Sequence, residues 1–203
     1  MKQVTCCFLC LACALCFAIP VLADSAEDCR YILARGADIT ALRARFDQER
    51  SSPVLETPRC SRGVLVMRKP DYLLMEIESP SFQSIEISKG ELLKRNAKKE
   101  IVERRSLGRY SELVERFYLM SSSYQELTDS YFIRCRQREG GYLVSLVPRA
   151  GPLRKRIIDI RLYLSSERLV ERIDYTFKNQ DRVTVRLYDM ELSGPPSINT
   201  QAR

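Results

Sequence analysis

Between residues 63 and 90, apolar side chains recur at every second position: Leu65 and Met67, then Leu73, Met75 and Ile77, then Ile85 and Ile87. That period puts each set on one face of a pleated strand. Lys69-Pro70-Asp71 and Ser79-Pro80-Ser81 separate the runs, because proline fixes φ and has no N–H to give to a ladder. The stretch therefore predicts a three-stranded antiparallel meander. Residues 40–50 alternate in the same way, with Leu42, Ala44, Phe46 and Gln48 on one side and Arg43, Arg45, Asp47 and Glu49 on the other. Before them, residues 25–36 read as a helix, with Asp24 or Ser25 as its cap and Gly36 as its stop. Residues 51–58, with Pro53 and Pro58, form a loop.

Two polar strands are expected at 91–95 and 100–105, as an edge or rim. The period then changes. Leu113, Phe117 and Met120, with Tyr110 and Val114 alongside, recur at three and four residues, which predicts an amphipathic helix within 107–129. Ser121-Ser122-Ser123 ends it, and 124–127 adds a short turn. Alternation returns at 131–138, 141–148, 156–165, 169–177 and 182–192, with hairpin turns expected at Gly140-Gly141 and Asn179-Gln180-Asp181. About ten or eleven strands, each with one apolar and one polar face, would leave much apolar surface bare in a flat sheet. The predicted fold is mainly β (α+β): one strongly curved antiparallel sheet forming an open barrel, with helices against its concave side.

A glycine-led strand from Gly63 ending in Arg68-Lys69-Pro70, a second strand, a proline turn and a short strand closing on Ser88-Lys89-Gly90 resemble the outer-membrane lipoprotein carrier (LolA) family. Phe46-Asp47-Gln48 fits that family's Phe-x-Gln. The resemblance covers roughly residues 28–193. It departs from the family where Lys69 replaces an arginine before the proline, Met75 an aromatic, and Leu93 or Lys94 a tryptophan; the chain has no Trp. The resemblance implies an open barrel whose helices form a lid over a hydrophobic cavity. It also implies that Lys69, which shares the parity of Leu65 and Met67, contributes to holding the lid closed. Lysine has no planar fork, so such a contact is looser than the arginine's.

The chain has 203 residues, room for one domain. Residues 1–23 read as a secretory signal: Lys2 is the charged start, Cys6 to Ile19 the apolar stretch, and Val21-Leu22-Ala23 the cleavage site. Cleavage after Ala23 would leave 24–203 as a single carrier domain in the periplasm, with 194–203 as a tail. The formal net charge is +7, one unit of it from Lys2. It reads either as attraction to anionic headgroups or an acidic partner, or as a solvated surface. The solvated surface is the expectation, because Arg and Lys alternate with Asp and Glu along the strands. Five of the eight cysteines lie in the leader. Of the rest, Cys29 and Cys60 are the expected disulfide, because both flank the first strand region outside regular alternation. Cys135 alternates with Ile133 and is expected to be a small buried hydrophobe.

The chain contains no histidine, which removes Ser-His-Asp and Cys-His catalysis and every histidine-containing metal site. The scattered glycines draw no phosphate loop or dinucleotide fingerprint, and the separated thiols draw no zinc site. Glu76 and Glu78 share an outward strand face, where solvation is the ordinary role. No enzyme activity, cofactor, metal or nucleic-acid partner is expected. Phe46, Leu65, Met67, Leu73, Met75, Ile85, Ile87, Leu113 and Phe117 share the inward parity or stripe. They either line a lipid-binding cavity or fill a closed core. Methionine favours the cavity, because its unbranched thioether adapts to variable chains.

The resemblance implies a monomeric periplasmic chaperone that carries acylated lipoproteins from the inner to the outer membrane. It would receive them from an inner-membrane ABC-type exporter and pass them to an outer-membrane lipoprotein receptor. The alternatives are a carrier of another lipid or glycolipid, and a regulatory lipoprotein sensor binding an anti-sigma factor.

Overall fold

The computed structural model describes residues 26–106 and 119–194. The expected leader, the tail beyond residue 194, and the expected cavity residues Leu113 and Phe117 lie outside the described residues. Helix α1 (Ala26–Ala37) leads into β1 (Ala41–Ser51). The meander follows as β2 (Arg59–Arg68), β3 (Tyr72–Ser79) and β4 (Gln83–Ser88), then β5 (Glu91–Arg95) and β6 (Ile101–Ser106). A 3-10 turn (Leu119–Ser121) precedes α2 (Tyr124–Thr128), β7 (Tyr131–Arg138) and β8 (Gly141–Pro148). Last come α3 (Gly151–Arg156), β9 (Ile157–Ser165), β10 (Val170–Phe177) and β11 (Arg182–Ser193).

The eleven strands of the described residues form one antiparallel sheet in the order β6-β5-β4-β3-β2-β1-β11-β10-β9-β8-β7. It is two meanders joined at the middle. The first steps outward from β1 to the edge β6. The second begins at the far edge β7 and steps back to β11, which pairs with β1, setting Phe46 opposite Leu187 and Gln48 opposite Val185. β6 and β7 do not pair, so the sheet stays open, as its alternating faces predicted.

The inward parity makes the core. Phe46, Leu65, Met67, Leu73, Val144, Leu146, Ile160 and Leu162 are all buried. Cys29, Ile32 and Leu33 form the buried stripe of α1, which packs on β7, α2 and the 3-10 turn. Ser123 caps α2 in a reciprocal box: its hydroxyl accepts from the Glu126 N–H, and Glu126 Oε2 accepts from the Ser123 N–H at 2.6 Å. Helix α3 was not expected. It is a single turn with Pro152 near its start, no side-chain cap and a buried Leu153, too short to carry a period. No helix among the described residues is long and apolar enough to cross a membrane.

One glycine is required by close approach. The register shifts between Arg62 and Gly63, and a Cβ on Gly63 would lie 1.8 Å from the Glu76 carbonyl oxygen of β3. No side chain fits there.

The disulfide joins Cys29 to Cys135, not to Cys60. Cys60 stands opposite Glu49 near the start of β2 and is exposed. Nearness in sequence misleads here, because α1 reaches the edge strand β7. The inward parity that marked Cys135 as buried is what aims it at α1.

Candidate functional site

The strands have two unlike ends. At one, α1 and the 3-10 turn meet the turn between β2 and β3. Toward the other, β1 to β4 and β10 to β11 enclose a cavity of about 400 Å³. Its walls are apolar: Phe46 from β1, Leu65 from β2, Met75 and Ile77 from β3 and Ile85 from β4, facing Tyr175 and Phe177 from β10 and Val183 and Val185 from β11. The Tyr175 and Phe177 rings lie 6.5 Å apart between centroids. Each wall residue comes from the inward set of its strand.

A polar group completes the lining: Gln48, Arg50, Asn179 and Asp181. Gln48 Nε2 donates to Ser61 Oγ at 3.4 Å. Arg50 Nη2 donates to Asp181 Oδ2 at 2.7 Å, and the Asp181 N–H donates to Asn179 Oδ1 at 3.2 Å. Asp181 is buried while Arg50 remains half-exposed, which places the pair where the lining meets solvent. Hydrogen bonds from Ser52 and then Arg50 hold the Asp181 carboxyl below the usual carboxylate range against the opposing effect of burial. Apolar walls and a charge-balanced polar margin suit an amphipathic ligand, with its chain inside and its head outside.

At the helical end, Lys69 Nζ donates to the carbonyl oxygens of Ala37 at 3.1 Å and Ser121 at 2.5 Å. These carbonyls belong to the last residues of α1 and of the 3-10 turn, where main-chain acceptors lack helical partners and the helix end is negative. One ammonium therefore ties the two segments to the turn between β2 and β3.

Of the residues expected to line a cavity, Phe46, Leu65, Met75 and Ile85 do so. Met67, Leu73 and Ile87 share their parity but are buried outside the lining. Met67 sits under the helical end, where its sulfur accepts from the Ser121 hydroxyl at 3.5 Å. Parity gives the face of a strand, not the position along it, so it merged cavity and core. The second wall, from Tyr175 to Val185, was missed. Its signal was present: Ile173, Tyr175 and Phe177 alternate, as do Val183, Val185 and Leu187. What was hidden is the pairing of β11 with β1, which brings that wall over Phe46.

Residues 37–199 match a family described as "Outer membrane lipoprotein carrier protein LolA". No curated protein matches the chain. Among solved structures it is similar to a LolA superfamily protein from Nitrosomonas europaea, at 11% identity and a TM-score of 0.42, covering 83% of this chain and 94% of that one. It is similar to a DUF1329 family protein from Desulfovibrio piger at 10% identity and a TM-score of 0.45, covering 83% and 92%. A third is MucB in the MucA/MucB complex of Pseudomonas aeruginosa, at 12% identity and a TM-score of 0.45, covering 88% of this chain and 61% of that one.

Proposed function

The chain belongs to the outer membrane lipoprotein carrier (LolA) family, and from that premise we propose that it is a periplasmic carrier that shields lipoprotein acyl chains between the inner and outer membranes. The leader would be removed after Ala23, leaving one carrier domain. An ABC-type exporter would load it and an outer-membrane receptor would unload it. The observation that supports this reading is the cavity of about 400 Å³ with apolar walls between the two halves of the sheet.

The physical need is large. At about 0.8 kcal/mol per methylene, a chain of roughly fifteen carbons costs on the order of 12 kcal/mol in water. Phe46, Leu65, Met75, Ile85 and the β10–β11 wall replace that water. Met75 adapts to chains of different shape, because its thioether repacks at little cost. Lys69 would act as the gate, since its bonds to Ala37 and Ser121 favour one arrangement of the helical end.

The cavity volume favours a second reading. If a methylene occupies on the order of 30 Å³, the liquid share of a water molecule, the space takes one chain of roughly thirteen carbons. That suits a lipid with a single acyl chain. Mass spectrometry of the protein purified from a membrane-containing extract separates the two. A co-purifying acylated polypeptide supports the lipoprotein carrier, a free single-chain lipid supports the second reading, and the absence of any lipid defeats both.

A further inference from the structure

The cations that alternate with acids along the sequence do not spread evenly over the folded chain. The connections at the cavity end of the strands carry Lys98 and Lys99 between β5 and β6, Arg149, Arg154, Lys155 and Arg156 between β8 and β9, and Lys178 between β10 and β11. Against these seven cations stand four acids among the described residues, Glu56, Glu100, Asp129 and Asp181. Asp181 is held by Arg50, and Glu100 accepts from Asn96 Nδ2 at 3.0 Å. Among the described residues, the connections at the helical end carry no such excess, with Lys69, Lys89 and Arg168 against Asp38, Asp71, Glu139 and Glu167. A backbone hydrogen bond of 2.8 Å from the Lys178 N–H to the Arg156 carbonyl joins α3 to the β10–β11 turn that lines the cavity.

Exposed apolar side chains are gathered at the same end. Eight large ones are exposed among the described residues, and six lie there: Val54, Ile101, Val102, Phe132, Val147 and Ile158. Val54, in the loop after β1, is 88% exposed. Phe132 and Val147 are cross-strand neighbours, and the Arg149 guanidinium lies 4.2 Å from the Phe132 ring centre. Only Tyr31 and Tyr188 among the eight lie elsewhere.

We infer that the cavity end docks on the surface of an anionic bilayer, so that a chain passes between membrane and cavity without crossing water. Cations draw this end to acidic headgroups, and the apolar side chains between them enter the headgroup region. These side chains stand singly or in pairs on separate strands and loops, interspersed with charge. The excess of cations over acids at this end is complementary to acidic headgroups. The proposal rests on the reading that the cavity accepts an acyl chain, and it adds where that chain enters.

The test uses the exported chain and flotation with two kinds of vesicle: phosphatidylcholine alone, and phosphatidylcholine with about one third phosphatidylglycerol. Binding is expected only to the second and should weaken as salt rises. The double variant Lys155→Ala, Lys178→Ala should bind roughly 25-fold more weakly, at about fivefold per cation. Val54→Asp should also weaken it. Uptake of a fluorescent fatty-acyl probe from solution, measured on the same samples, should not change in these variants, because none of the three residues lines the cavity. Wild type that ignores both vesicles, or binds both equally, overturns the docking proposal, as does a double variant that binds as wild type does. Wild type that binds anionic vesicles but takes up no probe leaves docking standing and defeats the carrier reading.

Discussion

Lys69 Nζ lies 2.5 Å from the carbonyl oxygen of Ser121 and 3.1 Å from that of Ala37, so a single side chain joins two segments separated by more than eighty residues of sequence. The bonds favour one arrangement of the helical end. If that arrangement is the closed one of the proposed gate, removing them lowers the advantage of the emptied state over the loaded one. Lys69→Leu should therefore slow release of a fluorescent acyl probe to acceptor vesicles by about 5- to 30-fold, for a loss of about 1–2 kcal/mol. The melting temperature should fall by only about 2–8 °C. Unchanged release kinetics in the variant would remove the gate assignment.

The Cys29–Cys135 bond spans 106 residues and fixes α1 to an edge strand. Closing so long a loop in the unfolded chain is worth about 3–5 kcal/mol. Replacing both cysteines with alanine should lower the melting temperature by roughly 6–20 °C. Cys60→Ser should leave it within a degree or two. Thermal melts of the three proteins, with and without reductant, check the pairing directly, since reductant should affect only chains that retain the bond.

Leu73 and Ile85 have the same parity and different surroundings. Leu73 is fully buried outside the lining, whereas Ile85 is half-buried and faces the cavity. A carboxylate at Leu73 has no route to water and costs several kcal/mol. Leu73→Glu should abolish the folded circular-dichroism spectrum, while Ile85→Glu should keep it and lose at least tenfold in acyl-probe affinity. If Ile85→Glu binds the probe normally, the cavity is not the acyl site.

Asp174 and Asp181 titrate below the usual carboxylate range. For Asp174, burial is the largest influence and pushes the value up, but hydrogen bonds from Arg172 and Thr184 and the Arg172 charge outweigh it. A lowered folded value means that the stabilisation is complete above the unfolded value, about pH 4, and is lost as pH falls through the folded one. Melting temperature should therefore fall as pH drops from about 4 toward 2. Asp174→Asn and Asp181→Asn should each make that acid limb shallower. An equally steep limb in both variants would show that other groups control it.

Strand boundaries and the curved single sheet were legible because alternation is written into each segment: residues 131–138 and 141–148 are the observed β7 and β8 to the residue. Pairings between distant segments were not. Nothing near Cys29 marks Cys135 as its partner, and nothing near Phe46 marks Val185 as the opposite wall, because both depend on the strand order. The basic and apolar ring was also invisible along the chain. Lys98, Arg154 and Lys178 belong to separate connections, each unremarkable alone, and only the sheet brings them to one rim.

The union of β1 and β11 at the middle of the sheet also governs how the chain reaches this state. Each meander is built from hairpins and can form locally, but Thr40 must find Ser193, its hydrogen-bonded partner 153 residues away, before the two halves become one. Until then β1 and β11 each offer an unpaired edge beside a bare apolar face, and a second copy in the same condition is a ready substitute. Assembly should be slow at its last step and concentration-sensitive, since contacts so distant in sequence are costly to bring together. A chain delivered N-terminus first spends its most aggregation-prone interval waiting for its final strand.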